Sequence, residues 1–284
     1  MRLLGAGDNV VDRYRELGMM FPGGNAVNVA VFAARLGAQS AYLGVVGDDL
    51  AGRAVLSGLR KEGVDVGLTQ VAAGANASAD IGLVDGDRVF LRSDKGVALF
   101  EPTAEHFNSM REFDLVHAGY AGPFLPHVPE MARHTRVSFD FANRLTLADA
   151  ADALPHLFLA SFSSSHRSHD ETIDFVKEAV AGGAQYVLAT RGADGAFLAC
   201  EDWVVHQSAD LVQVVDTLGA GDAFIASVLV GLLAHRDRRN VLAAASAHAA
   251  QVCLAHGAFG RGVPFQPVAA DGGDIDSKDT KVTR

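Results

Sequence analysis

The hydrophobic positions of this chain fall into two alternating rhythms. Apolar runs of strand length at 3–7, 41–46, 115–118, 137–140, 157–161 and 186–190 are separated by segments in which apolar residues recur at helical spacing, roughly 26–36, 52–61, 171–181, 220–234 and 241–256. Strands alternating with helices predict an α/β fold with a mostly parallel sheet, because parallel neighbours need crossovers and the helices supply them. The stretch 77–92 breaks the rhythm. Residues 79–84 alternate, Asp85-Gly86-Asp87 has turn chemistry, and 88–92 completes an antiparallel hairpin. A hairpin inserted into an α/β alternation is a candidate lid. Beyond Phe265 the chain is polar and rich in Asp, Gly and Lys, which predicts a disordered tail over 267–284. One domain is therefore expected over 1–266, with lid segments at about 9–22 and 77–100. No internal repeat is visible.

Composition narrows the class. With 284 residues, 49% of them hydrophobic, the chain can bury a large core. A formal net charge of -10 opposes binding to nucleic acid or an anionic membrane, where affinity rests on Lys and Arg neutralising phosphates. Cys200 and Cys253 are the only cysteines, and their spacing suits neither a disulfide framework nor a zinc site, so a reducing cytoplasm is the default expectation. The longest apolar run is shorter than a membrane span, and the N-terminus reaches Gly5 and Asp8 before a signal-peptide core develops.

Candidate chemistry gathers in two places. In the first, Asp216-Thr217-Leu218-Gly219-Ala220-Gly221-Asp222 puts a glycine turn at the mouth of a long apolar helix, after an apparently extended run ending in Val212, Val214 and Val215. Amides at a helix N-terminus lack intrahelical acceptors and carry the positive end of the dipole, so Gly219, Ala220 and Gly221 can face phosphate oxygens. A carboxylate beside such a cradle suits a base that strips a proton from an attacking hydroxyl. It equally suits a helix cap. The second cluster holds Asp8, Asn9 and Asp12 after the first strand and Gly23-Gly24-Asn25-Ala26-Val27-Asn28 at the first strong helix. Ligands of open α/β sheets bind beyond the carboxyl ends of the strands, and short carboxylate and amide side chains there match the hydroxyls of a sugar or polyol. Turn and capping roles fit the same residues. Gly5-Ala6-Gly7 lacks the third glycine of a dinucleotide fingerprint, and neither a P-loop nor a Gly-x-Ser-x-Gly elbow is present.

Together, Gly23-Gly24-Asn25-Ala26-Val27-Asn28 and Asp216-Thr217-Leu218-Gly219-Ala220-Gly221-Asp222 resemble, in order and separation, the two signatures of the ribokinase-like (PfkB) carbohydrate kinases. The resemblance spans about residues 3–265. It implies a three-layer sandwich with a small β lid, transfer of the γ-phosphoryl group of ATP to a sugar hydroxyl, Asp222 as base, and Gly219 to Asp222 as anion hole. It further implies Asp12, Gly24, Asn25 and Asn28 as sugar contacts, with Gly23 allowing close approach, and Thr190, Gly192 and Gly195 beside the nucleotide. The last three also suit a plain hairpin turn. Asp140-Phe141-Ala142-Asn143-Arg144 looks like a family segment near the transferred phosphate, where Asn143 would help place it. Ser168-His169-Asp170-Glu171 stands where many members carry Asn-x-x-Glu around Mg²⁺. Ser168 replaces that Asn, so Glu171 is either a water-mediated Mg²⁺ contact or part of a capping box. Asp216 would border a monovalent cation such as K⁺, and His248 would flank the adenine.

Within the family, the Gly-Asp-Asn start with Asp12, the block from Gly23, Asp87-Arg88-Val89-Phe90 and His256-Gly257-Ala258 resemble the branch that acts on fructosamines such as fructoselysine, phosphorylated on a primary 6-hydroxyl. Arg88 or Arg92 would then meet the amino acid carboxylate, or else serve as a solvated edge charge. Ribokinase, fructokinase or 2-keto-3-deoxygluconate kinase specificity, and a non-catalytic sugar or nucleotide sensor, are the alternatives. A homodimer is expected from the unpaired lid edges.

Overall fold

The computed structural model describes residues 1–84 and 87–265, with the backbone alone at 83, 84 and 87–90. The expected turn at 85–86 and tail at 267–284 lie outside the described residues. The strands are β1 (Arg2–Ala6), β2 (Val10–Tyr14), β3 (Met19–Gly23), β4 (Gln39–Gly47), β5 (Asp65–Ala72), β6 (Ser78–Val84), β7 (Asp87–Asp94), β8 (Leu115–Gly119), β9 (Arg136–Asp140), β10 (Leu159–Ser163), β11 (Tyr186–Thr190), β12 (Ala196–Cys200), β13 (Trp203–Gln207) and β14 (Val263–Pro264). The helices are α1 (Asn25–Arg35), α2 (Leu50–Lys61), α3 (Ala104–Ser109), α4 (Val128–Met131), α5 (Leu147–Ala150), α6 (His169–Ala181), α7 (Ala220–Leu233) and α8 (Arg238–Val252).

Among the described residues, nine strands form one sheet in the order β13-β12-β11-β10-β9-β8-β1-β4-β5. Its pairs are parallel except β11 with β12 and β12 with β13. Successive side chains of a strand point to opposite faces, and both faces here are apolar. Leu3, Leu115, Leu159 and Leu188 pack with α1, α7 and α8 on one side, while Leu4, Val116, Ala160 and Val187 pack on the other with Met110, Val128, Met131, Phe175 and Val176. The result is a three-layer sandwich of the ribokinase-like kind. Helix α7 is apolar all round and nearly all buried, so it lies between α1 and α8 as a fixed rod.

A second sheet, ordered β14-β3-β2-β6-β7, stands apart from the first. The expected hairpin is its β6–β7 pair, and a second hairpin, β2–β3, joins it through parallel pairing of β2 with β6. One face carries Tyr14, Phe21, Ala79 and Ile81.

Two sequence expectations need correction. Residues 212–215 form no strand. Among the described residues no strand pairs with them, and the backbone is instead tied to α8 and the turn after it, through the Asp210 amide to Ser246 Oγ (2.9 Å) and the Val215 amide to the Cys253 carbonyl (2.8 Å). The last long helix begins at Arg238, capped by Asp237, and ends at Val252, short of the expected 256, where the chain turns back toward Phe21 through Gly257.

Candidate active site

The mouth of α7 is shaped by what cannot be there. Gly219 caps the helix with φ 77°, and a Cβ at this position would lie 2.4 Å from the Cβ of Ala258, so only glycine fits both the backbone and the packing. At Gly221 a Cβ would meet nothing within 4 Å, so the first turn opens onto free space. The Ala220 amide bonds to the Thr217 carbonyl at 3.2 Å and is not the bare donor expected of it. The amides of Gly221 and Asp222 belong to the helical turn that lacks intrahelical acceptors. The start of the turn is anchored by Asp216, which is buried and accepts from the amides of Leu218 and Gly257, each at 3.0 Å, and from the hydroxyl of Tyr14 on β2.

Asp222 lies in that first turn, held from the neighbouring helix. Asn25 and Asn28, one turn apart on α1, donate to its two oxygens: Asn28 Nδ2 to Oδ2 at 2.6 Å and Asn25 Nδ2 to Oδ1 at 2.8 Å. Burial pushes the Asp222 carboxyl up to about 6, with the two amides opposing the rise. That leaves it ionised at neutral pH yet more basic than an ordinary carboxylate, the balance a general base needs. Asn25 Nδ2 also donates to Asp140 Oδ2 at 3.0 Å, and Asp140 accepts from Ser161 Oγ and the Ala142 amide, both at 3.1 Å. Burial first, and then the charge of Asp222, push Asp140 up to about 7.

Beside the base is a small polar hollow. A Cβ at Gly23 would stand 3.1 Å from Asp12 Oδ2 and 3.6 Å from Asn28 Oδ1, so the glycine keeps open the space these two acceptors share. Asn28 Oδ1 is buried and has no hydrogen-bond partner among the described residues. An unpaired buried acceptor is costly, so this oxygen has room for a hydrogen from a ligand or a water. Gly24, with φ 109°, brings the α1 N-terminus against Asn9, where a Cβ would lie 2.7 Å from the Asn9 Cα. Asp8, expected as a substrate contact, caps the neighbouring helix. Its two oxygens accept from the amides of Asn25 (2.8 Å) and Ala26 (3.2 Å), capping α1 in place of a Gly24 side chain.

Two other stretches are barer, the turn after β11 and the segment before α7. Thr190 ends β11; Gly192 has φ 58° with nothing within 4 Å of a Cβ, whereas a Cβ at Gly195 would meet the Gln207 carbonyl oxygen at 2.0 Å. Gly195 is therefore required by the turn itself, and Gly192 is the one facing open space. Leu211, Val214 and Val215 are 81%, 54% and 50% exposed, an apolar strip beside Leu254. Three residues expected at the adenine, the Mg²⁺ ion and the substrate carboxylate are placed otherwise. His248 bonds Ser227 Oγ at 2.8 Å and packs edge-on against Phe32 inside the helical layer. Glu171 closes a capping box with Ser168 (2.7 and 3.3 Å), which lowers its carboxyl below the usual range. Arg92 pairs in register with Asp80, which bonds Arg13, so it lies on the face of the small sheet away from Asp12. There it lines a hollow of about 350 Å³ with Met20 and Ser78. Asn143 is exposed on the loop after Asp140, and the Arg88 side chain is outside the described residues.

This chain matches the pfkB family of carbohydrate kinases over residues 14–132 and 146–264. It belongs to that family. It is 37% identical to fructosamine kinase FrlD of Bacillus subtilis (strain 168), over 97% of this chain and 98% of the relative, and 36% identical to fructoselysine 6-kinase of Escherichia coli (strain K12), over 89% and 97%. Its fold superposes on Arabidopsis thaliana ribokinase complexed with ribose and ATP with a TM-score of 0.80 at 18% identity, covering 93% of this chain and 95% of that one.

Several residues around Asp222 were given no role of their own in the sequence reading. His117 and Ser138 pair in register across β8 and β9, as do Gly119 and Asp140, and Ser161 lies beside Asp140 on β10. These residues form a polar seam on the α1 side of an otherwise apolar sheet. The available signal was a pair of polar residues at the same height in neighbouring buried strands, His117 with Ser138 and Asp140 with Ser161, and it becomes readable only once strand register is known. Tyr14 was likewise hidden, because its link to Asp216 joins segments 202 residues apart.

Proposed function

We propose that this kinase transfers the γ-phosphoryl group of Mg·ATP to the primary 6-hydroxyl of a fructosamine, a ketose carrying an amino acid on its first carbon. The relatives above support the acceptor class. The observation that carries the reaction is the convergence of Asp222, Asn28 and Asp12 on one hollow at the open first turn of α7. In this reading Asp12 and the free oxygen of Asn28 accept hydrogens from the sugar, and Asp222 takes the proton of the attacking hydroxyl. As the new oxygen–phosphorus bond forms, the bond from the γ-phosphorus to the bridging oxygen breaks and ADP leaves. The amides of Gly221 and Asp222, at the positive end of α7, face the charge on the moving group. The second sheet, tied by Tyr14 to the α7 turn, is the lid that keeps water from the phosphoryl group.

ATP lies in this reading along Thr190 and Gly192, with its base over the strip from Leu211 to Val215, since a flat heteroaromatic ring gains by covering exposed apolar surface. Mg²⁺ arrives as part of that substrate. Among the described residues no cluster of three His, Cys, Asp or Glu side chains could hold it as a resident ion, and Mg²⁺ characteristically keeps waters and phosphate oxygens as ligands. A K⁺ ion beside Asp216 would share that carboxylate with three protein donors. The two cysteines are free, which suits action in the cytoplasm. Pairing of lid edges at β7, where Leu91 is 54% exposed, would make a homodimer.

The decisive experiment measures ADP release with fructoselysine, other fructose-amino acids, fructose, ribose, 2-keto-3-deoxygluconate and adenosine as acceptors. The reading requires the highest kcat/KM on a fructose-amino acid and a 6-phosphorylated product. A preference for fructose or ribose overturns the acceptor assignment, and no sugar-dependent ADP release with any acceptor favours a sensor.

A further inference from the structure

Asn25 uses its polar atoms more fully than any other side chain in the site. Its backbone amide donates to Asp8, its side-chain nitrogen donates to both Asp140 and Asp222, and its side-chain oxygen is met by His117 Nε2 at 2.9 Å. Amide oxygen and nitrogen have nearly the same shape, so the direction of an Asn side chain is set by its partners. Reversed, it would press an oxygen against two carboxylates. Swung away, it would leave Asp222 with one donor, from Asn28. Strand β8 prevents both. A Cβ at Gly119 would lie 2.3 Å from Asn25 Oδ1, so the strand leaves a slot that only glycine permits. Two residues earlier on the same face, His117 is fully buried and closes the far side of that slot.

We propose that His117 is a positioning residue for phosphoryl transfer: held by Ser138 with its proton on Nε2, it fixes the Asn25 amide so that both of its N–H bonds reach carboxylates and Asp222 is kept aimed at the acceptor hydroxyl. The tautomer follows from the contacts. Nε2 faces a carbonyl oxygen, which can only accept, so it must carry the proton, and Nδ1 then accepts from the Ser138 hydroxyl at 3.1 Å. Burial pushes the imidazole down to about 3, so the ring is neutral across the physiological range. His117 thus has no place as an acid or base, and its contribution is geometric, exerted through Asn25.

The inference rests on Asp222 being the base, so the experiment carries Asp222→Asn as its control. His117→Leu removes the donor but keeps an apolar volume; His117→Gln replaces the ring N–H with an amide N–H of similar reach. The expected result is a kcat about tenfold lower for His117→Leu, unchanged KM for Mg·ATP, and recovery to within about twofold in His117→Gln. Wild-type kcat in His117→Leu, with Asp222→Asn inactive, overturns the positioning role alone. Equal loss in the Leu and Gln variants also overturns it, because packing would then be the cause. High turnover in Asp222→Asn removes the base and this inference with it. Should His117→Leu fail to fold, ¹⁵N NMR of the wild-type protein decides: a neutral Nε2–H ring from pH 5 to 8 supports the assignment, and an Nδ1–H or doubly protonated ring overturns it.

Discussion

The two halves of the proposed cleft are built on opposite plans. On the acceptor side, Asp8, Asn25, Asn28, His117, Asp140 and Asp222 form a continuous, largely buried hydrogen-bond network anchored on two strands, two helices and the loop after β1. On the nucleotide side, an irregular segment lays apolar side chains open to solvent, and Gly192 faces empty space. The contrast matches the work proposed for each half. The group that takes a proton must be fixed to a fraction of an ångström before substrate arrives, since effects of preorganisation are lost if the site reorganises during the reaction. A flat base on a long phosphate tail needs only a surface and a rim. Substitutions on the acceptor side should therefore act on kcat, and those on the nucleotide side on KM for ATP.

The largest effect should come from the base. Asp222→Asn keeps the volume and one acceptor oxygen, so the fold and both substrate affinities should persist while kcat falls by about 10²–10⁴. Steady-state kinetics with calorimetric binding of the acceptor checks this, and near-normal kcat would remove the assignment. Next in size is Asn28→Ala, which strips one donor from Asp222 and the unpaired oxygen from the hollow. Because one atom serves the base and the other the sugar, kcat should fall and acceptor KM rise together, lowering kcat/KM by about 10²-fold. A change confined to KM for ATP would contradict the placement of Asn28.

The acceptor half was the more legible in sequence, but only in part. The run from Gly219 to Asp222 and the pair Asn25 and Asn28 could be read because each lies within a few residues of a glycine turn and a helix start, where spacing fixes geometry. Asp8 was expected to contact substrate, and in the structure it accepts from the amides of Asn25 and Ala26. A carboxylate next to a helix start can face the ligand or the helix amides, and that choice depends on the approach of α1 to β1, where a Cβ at Gly5 would meet the Ala26 carbonyl oxygen at 2.2 Å. His117 and Ser138 were out of reach because a polar residue in a buried strand declares itself only when register brings a partner beside it. The mostly parallel sheet followed readily from the alternation of strands and helices, and the three-layer sandwich from the family resemblance. The small sheet was half legible: turn chemistry announced the β6–β7 hairpin, but β2 and β3 are joined through a short turn ending at Gly18, which the sequence reading treated simply as lid.

The pH response separates the halves in another way. Asp222 must be ionised to act, so kcat should fall as pH drops through about 6, set by burial of that carboxyl, while KM for ATP varies little. Stability should run in the opposite direction. Asp140 and Asp222 both have folded values above those of an exposed Asp, so from about pH 4 to 7 the folded state binds protons that the unfolded chain has released, and stability declines as pH rises through that window. Asp140→Asn removes one of these buried charges and leaves groups that can still hydrogen-bond. Its melting temperature should exceed the wild-type value at pH 8 and lie close to it at pH 5. A variant less stable at pH 8 than at pH 5, relative to wild type, would show that ionised Asp140 is favourable where it lies.

The smallest effect is expected on the bare side, and it tests the comparison most directly. Val214 is 54% exposed and its side chain has no hydrogen-bonding group, so replacing it with Asp costs the fold little. A carboxylate there would put charge against the face of the adenine and remove apolar cover worth about 1 kcal/mol, which corresponds to a rise in KM for Mg·ATP of about fivefold. Saturating ATP should then restore wild-type kcat, because nothing in the strip touches Asp222 or its amide donors. If kcat stays low at saturation, the nucleotide surface also sets the position of the phosphoryl group. The two halves would then have to be treated as one preorganised site, with the contrast between a fixed base and a loosely held nucleotide abandoned.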